Sequence, residues 1–502
     1  MKSSTTVKVV DYQKYLKGGR GDPSGRPYQG KLFMLNLLAK VTRTYIHRCA
    51  LTAFTLVTLA ISTPLYGSEN LPPIKYQKAT LDNGLRIILV EHHELPTVAI
   101  ELLVRTGSAD DPPDRPGLAH LVSQLFREGT RSKSSLEISE EIDFIGGTLR
   151  VECDYDSTSI GATALVRHFQ TILNQLSEVA RYPSFKPKDV EFQRDRIVVS
   201  ILREKDNKRT VADRHFSEML YGAHPYNHPP SGTANGLKAV TGEEIVQFHK
   251  RHYLPNNSIL TVVGDIEPVS TLAAIKETFG DWKVGEIPES MPPSVPKIAG
   301  YKIRLVDKPD LTQTEICVGH PGIRRTDPDY ISLLLLNNIL GGGPASRLYT
   351  NIRAEKGLSY GASSSFDARR LQGPFSVRTY SKNETALEAL WLVLDELRKL
   401  KAGGVTAEEL ADAKSYYIGH FALGLETPAQ IASKIIEQEF YGLPEDYLEK
   451  YLENIRAVSR EDVNRAAERF LDPQNLVIVL VSRAEDTLKD AKTLGEVELE
   501  GL

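Results

Sequence analysis

The segment Thr241-Gly-Glu-Glu-Ile-Val-Gln-Phe-His-Lys-Arg-His-Tyr-Leu-Pro-Asn-Asn257 lines up without gaps on Ser459-Arg-Glu-Asp-Val-Asn-Arg-Ala-Ala-Glu-Arg-Phe-Leu-Asp-Pro-Gln-Asn475, at a constant offset of 218 residues (Thr241 to Ser459). Each copy opens on a hydroxyl residue with an acid three positions later, the pattern of a capping box at a helix start. Each runs to a Pro-containing stop and then into an apolar strand, Ile259-Leu-Thr-Val-Val263 or Val477-Ile-Val-Leu-Val481. Solenoid repeats recur every roughly 20–50 residues, so an offset this long marks a duplicated domain. Between the copies, Ile287-Pro-Glu-Ser-Met-Pro-Pro-Ser-Val-Pro296 holds four prolines in ten residues, which reads as a linker.

Each half alternates strands with long helices. Strands are expected at Val98–Val104, Thr158–Thr163 and Thr314–Val318; helices at 136–145, 166–180, 329–340, 384–401 and 408–423. The expected fold class is α+β: two tandem homologous domains, each a mainly antiparallel sheet backed by helices. The boundaries expected are 76–285 for the first domain, 286–298 for the linker, 299–485 for the second domain and 486–502 for a tail.

The N-terminus reads as a targeting region. Residues 1–33 are polar, and Met34 is the expected translation start, which would leave 1–33 untranslated. From Met34 to Gly67 the chain has the parts of a signal peptide. Lys40, Arg43 and Arg48 form a basic region, an uncharged stretch follows, and Pro64-Leu-Tyr-Gly67 breaks it. The expectation is export to a periplasm. The alternative is a membrane anchor through residues 49–68, which is just long enough to span but diluted by Thr and Ser.

Composition excludes some classes. A net charge of −4, with no Lys/Arg stripe interleaved with aromatics, gives nucleic-acid binding no support. The three cysteines, Cys49, Cys153 and Cys317, form neither a Cys-x-x-Cys motif nor a disulfide framework. His249 and His252 lie one turn apart without a carboxylate or cysteine cluster beside them, so a solvated helix face is expected there. His92 and His93 are expected to be exposed, and His224 and His228 sit in a Pro-containing loop.

Several ordered blocks carry a family resemblance. They are Leu81-Asp-Asn-Gly-Leu-Arg-Ile-Ile-Leu-Val90, the helix flanked by Gly117-Leu-Ala and Glu128-Gly-Thr130, Ile145-Gly-Gly-Thr-Leu149, His224-Pro-Tyr226, and Asn351-Ile-Arg-Ala-Glu-Lys-Gly-Leu-Ser-Tyr-Gly361. From about Lys78 to Ser482 the chain resembles the pitrilysin/insulinase family of zinc peptidases in its bacterial two-domain form. The family's His-x-x-Glu-His falls on His120-Leu-Val-Ser-Gln124, where Ser123 replaces the carboxylate and Gln124 the second imidazole. The family's third ligand, a Glu, falls on Gln193; Glu191, two residues away, would face nearly opposite on a helix. A hydrolytic zinc site needs three protein ligands and a base to activate water. His120 alone does not supply them, so no metal is expected in this chain and His120 is read as a hydrogen-bonded helix residue.

The family's Arg-x-x-x-Gly-x-x-Tyr signature is kept with Arg353 and Tyr360, which the resemblance implies contact substrate. On the residues alone, Arg353 could instead pair with Glu355 and Tyr360 pack in the sheet. Gly341-Gly-Gly-Pro344 lacks the Gly-Lys-Ser/Thr ending of a phosphate loop and reads as a turn between helices. The resemblance therefore implies a non-catalytic, peptide-binding subunit of a heterodimeric zinc peptidase, with the zinc in a homologous partner that carries an intact His-x-x-Glu-His. The alternatives are a purely structural or binding subunit derived from a peptidase, and an active enzyme with an unorthodox metal site.

Overall fold

The computed structural model describes residues 74–288 and 291–501. The extension 1–33, the signal segment 34–67 and the anchor alternative 49–68 lie outside the described residues. Among the described residues no helix is long and apolar enough to cross a membrane.

Two six-stranded sheets organise the protein. The first comprises β1 (Gln77–Thr80), β2 (Arg86–Glu91), β3 (Thr97–Val104), β4 (Thr148–Cys153), β5 (Thr158–Leu165) and β6 (Ser258–Gly264), in the order β1-β2-β6-β3-β5-β4. The second comprises β7 (Tyr301–Asp307), β8 (Gln313–Pro321), β9 (Ala362–Phe366), β10 (Pro374–Lys382), β11 (Leu476–Ser482) and β12 (Val497–Gly501), in the order β12-β7-β11-β8-β10-β9. The shared order confirms the duplication read from the sequence. β6 and β11 hold the same place in their sheets, and the helices before them, Gly242–His252 and Arg460–Phe470, both start in capping boxes, on Thr241 and Ser459.

Most strand pairs are antiparallel; β2 runs parallel to β6, and β7 parallel to β11. The registers place Leu102 of β3 opposite Leu260 of β6 and Ile160 of β5. The outermost strand comes from opposite chain ends: β1 lies antiparallel on β2, whereas β12 lies parallel on β7. Part of the stretch expected as a tail, 486–502, is therefore an edge strand. Arg304 on β7 holds it through Glu498 and Glu500. The helix expected from Val166 begins as a 3-10 turn, Val166–His168, and turns α-helical at Phe169.

Each half's own helices cover one face of its sheet; the other half covers the second face. The Lys208–Tyr221 helix leaves the first half and packs Val211, Phe216 and Leu220 onto Val306, Cys317, Val477, Val479 and Val481 of the second sheet. In return, the Pro428–Tyr441 helix sets Ile431, Ile435 and Ile436 on Ile88, Val90, Leu103, Ile259 and Val263 of the first. This exchange explains why Leu476–Ser482 is buried at every position: odd residues face the visiting helix, and Leu476, Ile478 and Leu480 face the domain's own core. Gly319 on β8 makes room for the visitor, since a Cβ there would stand 2.8 Å from Phe216 Cζ and 2.0 Å from the Phe375 carbonyl.

Candidate functional site

The degenerate motif lies on the Leu118–Leu125 helix, which buries Leu118, Leu121, Val122 and Leu125 in the first core. Its N-cap, Gly117, sits at φ +102, a left-handed conformation that favours glycine. The side chain of Asp111 supplies the missing cap by accepting from Gly117 N at 2.6 Å and Ala119 N at 2.7 Å.

Two of the three altered positions, Ser123 and Gln193, form hydrogen bonds within the chain, although Gln193 Oε1 finds no partner among the described residues. Ser123 is fully buried, and its hydroxyl donates to the His120 carbonyl at 2.7 Å one turn back. Gln193, 1% exposed on the Pro187–Glu204 helix, donates its amide to the Glu128 carboxylate just past the motif helix. A Glu at 193 would set two carboxylates face to face, relieved only by a shared proton or a cation; the neutral amide turns that contact into a hydrogen bond. Glu191 is exposed, consistent with its facing away.

His120 is half-buried, and its Nδ1 finds no hydrogen-bond partner among the described residues. The expected hydrogen bond of that ring nitrogen is therefore absent, and with it the outer partner that orients a metal-binding imidazole. Burial, with the Arg196 guanidinium adding to it, pushes the His120 pKa down. A cation would have to compete with that positive charge. Among the described residues no group of three or more His, Cys, Asp and Glu is placed to hold a metal. These residues do not fit a zinc centre. Equilibrated with zinc and desalted, the purified chain is expected to keep well under one zinc per molecule by elemental analysis; stoichiometric zinc lost in His120→Ala would overturn this.

The second half differs. Arg353 lies in a π-helical turn, Thr350–Glu355, exposed, with its guanidinium 4.7 Å from the Tyr349 ring centroid. Among the described residues it pairs with no carboxylate, Glu355 included. Tyr360 is 77% exposed and packs in no sheet. It lies two residues before β9, the edge strand of the second sheet. Neither residue is consumed by a structural role. The Gly341–Pro344 stretch is, as expected, the turn that ends the Tyr330–Gly341 helix.

Two expectations about other residues change or hold for physical reasons. His249 and His252 are buried, not on a solvated face: His249 donates from Nε2 to the Ala180 carbonyl at 2.8 Å and stacks on Tyr253, and His252 stacks on Phe248. An imidazole can be buried as a flat aromatic when one carbonyl satisfies it, which sequence polarity does not reveal. His224 is structural, accepting from Tyr226 N and stacking on Tyr221. Cys153 and Cys317 are both free. Neither the Gln193–Glu128 contact nor the Arg196 charge acting on His120 is signalled by any local residue pattern.

Comparison with known proteins shows the family and the fold. Residues 86–234 match the insulinase (peptidase family M16) profile, and residues 239–417 match the peptidase M16 inactive domain profile. An uncharacterized zinc protease of Bacillus subtilis is 25% identical over 406 residues, 81% of this chain and 98% of the relative. One of Mycobacterium leprae is 27% identical, covering 80% of this chain and 91% of its own length. A crystal structure of a peptidase M16 inactive domain from Pseudomonas fluorescens superimposes with a TM-score of 0.77 at 26% identity, covering 82% of this chain and 98% of that one. A protease from Helicobacter pylori shares the fold, with a TM-score of 0.76 at 22% identity. The chain belongs to the insulinase family of peptidases, M16, as a member whose motif positions read His120, Ser123 and Gln124.

Proposed function

We propose that this chain is the non-catalytic, substrate-binding subunit of a heterodimeric zinc metallopeptidase that cleaves peptides. One contrast carries the reading. Ser123 and Gln193, which stand where the family places a base and a zinc ligand, are engaged in internal hydrogen bonds, while Arg353 and Tyr360 stand open to solvent. A homologous partner with an intact His-x-x-Glu-His supplies the zinc and the general base. This chain contributes the Arg353 fork, which donates to peptide carbonyls or carboxylates, and the Tyr360 hydroxyl. β9 beside Tyr360 offers an edge whose backbone groups can hold an extended peptide, the usual use of a free sheet edge. The segment 34–67 directs the complex to the periplasm.

The test begins with affinity purification of the chain from its native host. A stoichiometric partner bearing His-x-x-Glu-His is expected, and the complex is expected to hydrolyse unstructured peptides. In that complex, Arg353→Ala and Tyr360→Phe are each expected to lower kcat/KM about tenfold or more, about 1.4 kcal/mol, with melting unchanged because both side chains are exposed. Wild-type activity in both variants would favour a purely structural subunit.

A further inference from the structure

A cleft of about 1180 Å³ opens in the first half, away from Arg353 and Tyr360 in sequence and lined by residues of four separate segments. They are the 130–137 turn and helix start, the 181–186 loop, one face of the Gly242–His252 helix with the residues just after it, and 281–285. Six cations and two carboxylates line it, on a chain whose net charge is −4. Two of the cations are already held: Lys133 by Glu141 and Arg181 by Asp281. Among the described residues Arg131, Lys186, Lys250 and Lys283 make no ion pair, and all four are exposed at the rim. Tyr182, Phe185 and Trp282 line the same cleft. Arg131 and Arg181 stand over the Tyr182 ring, Arg181 also over Trp282, and Phe185 meets His249 edge-on.

Phe185 is the only non-glycine among the described residues with a positive φ, +46. A bulky side chain held there is unfavourable and marks a conformation imposed by its surroundings, a frequent feature of binding sites. The cleft is larger than the roughly 300–1,000 Å³ of small-ligand pockets, so it has room for a length of chain. Unpaired cations and aromatic rings lining one cleft match a segment that carries both carboxylates and apolar side chains. The protein's own N-terminal stretch does not match. Residues 1–73 hold ten Lys and Arg against three Asp and Glu.

We propose that this cleft is a docking site for an acidic peptide segment of another protein, seated by Arg131, Lys186, Lys250 and Lys283 over Tyr182, Phe185 and Trp282. The site is independent of the zinc-partner reading and is tested without the partner. A short labelled peptide alternating Glu with Leu, and its Gln counterpart, are titrated into the full chain by fluorescence anisotropy at two salt concentrations. The acidic peptide is expected to bind, more weakly in high salt, with the Gln form weaker by about tenfold or more. The triple variant Lys186→Ala, Lys250→Ala, Lys283→Ala is expected to lose binding by a similar factor while its melting temperature holds, because all three side chains are exposed. Binding is expected to shift tryptophan emission, and Trp282→Phe to abolish that shift while Trp391 remains. Equal binding of the Gln peptide, or an unchanged triple variant, overturns the proposal. Capture of anionic phospholipid vesicles without any peptide binding also overturns it, in favour of a membrane surface.

Discussion

Phe216→Ala is expected to destabilise the protein by about 3–5 kcal/mol, the range for emptying a buried phenyl site. Phe216 is 1% exposed and stands on the helix that the first half lends to the second, against a sheet to which it is not connected locally in sequence. Ile435→Ala on the reciprocal helix is expected to lose about 2–5 kcal/mol for the same reason. The more telling readout is cooperativity. Because each half closes the other's sheet, either variant is expected to lower the stability of both halves together, giving one urea transition by circular dichroism and by tryptophan fluorescence. Trp282 follows the first half and Trp391 the second, so single-Trp variants can report each separately. If Phe216→Ala unfolded the second half alone and left Trp282 in its native environment, the mutual closure would not be what holds the halves together. Gly319→Ala is expected to destabilise the same contact from the opposite side, by overpacking.

A second large effect is expected in acid. Burial pushes the His249 pKa down to about 4; Arg131 and Lys250 add to the shift, and the Ala180 carbonyl opposes it. In the unfolded chain an imidazole titrates near pH 6.5. Between those values the unfolded state binds more protons than the native state, so stability falls as pH falls. The stability from burying a neutral His249 is complete above about pH 6.5, is down by about 2 kcal/mol at pH 5 and by about 3 kcal/mol at pH 4. His249→Gln keeps a donor for Ala180 and cannot titrate. Its urea midpoint is therefore expected to fall less steeply with pH than the wild type's, whatever constant offset the change brings. Parallel curves from pH 7 to pH 4 would show that His249 is not buried neutral. His120, His224, His228, His252 and His320 are shifted down as well, chiefly by burial, and steepen the wild-type curve. Glu101, pushed up to about 7 by burial with Glu152 adding to it, has the opposite sign, which is why the comparison between two proteins isolates His249.

Elements whose cause is local were legible from residues alone. The capping boxes at Thr241 and Ser459 and the apolar runs of β6 and β11 each depend on neighbours a few positions away. The substitutions at the motif were legible through the family resemblance, which implies that Ser123, Gln124 and Gln193 stand where Glu, His and Glu would. Ser123, Gln124 and Gln193 cannot do what Glu, His and Glu do, wherever they sit. The roles of His249 and of 486–502 were not legible. Whether a ring is buried, and whether a charged C-terminal stretch finds an edge to pair with, depends on partners far along the chain: Ala180 for the one, β7 for the other.

The duplication and its helix-and-strand order were determined by the sequence itself, because both are statements about residue types and their spacing. In the structure the continuous apolar strand Leu476–Ser482 is buried on both sheet faces. What would bury them was decided only in the tertiary structure. Hydrophobic contact has no direction and no address, so Val477, Val479 and Val481 are satisfied by any apolar helix of the right shape, and only the assembled chain brings Phe216 there rather than a helix of their own half.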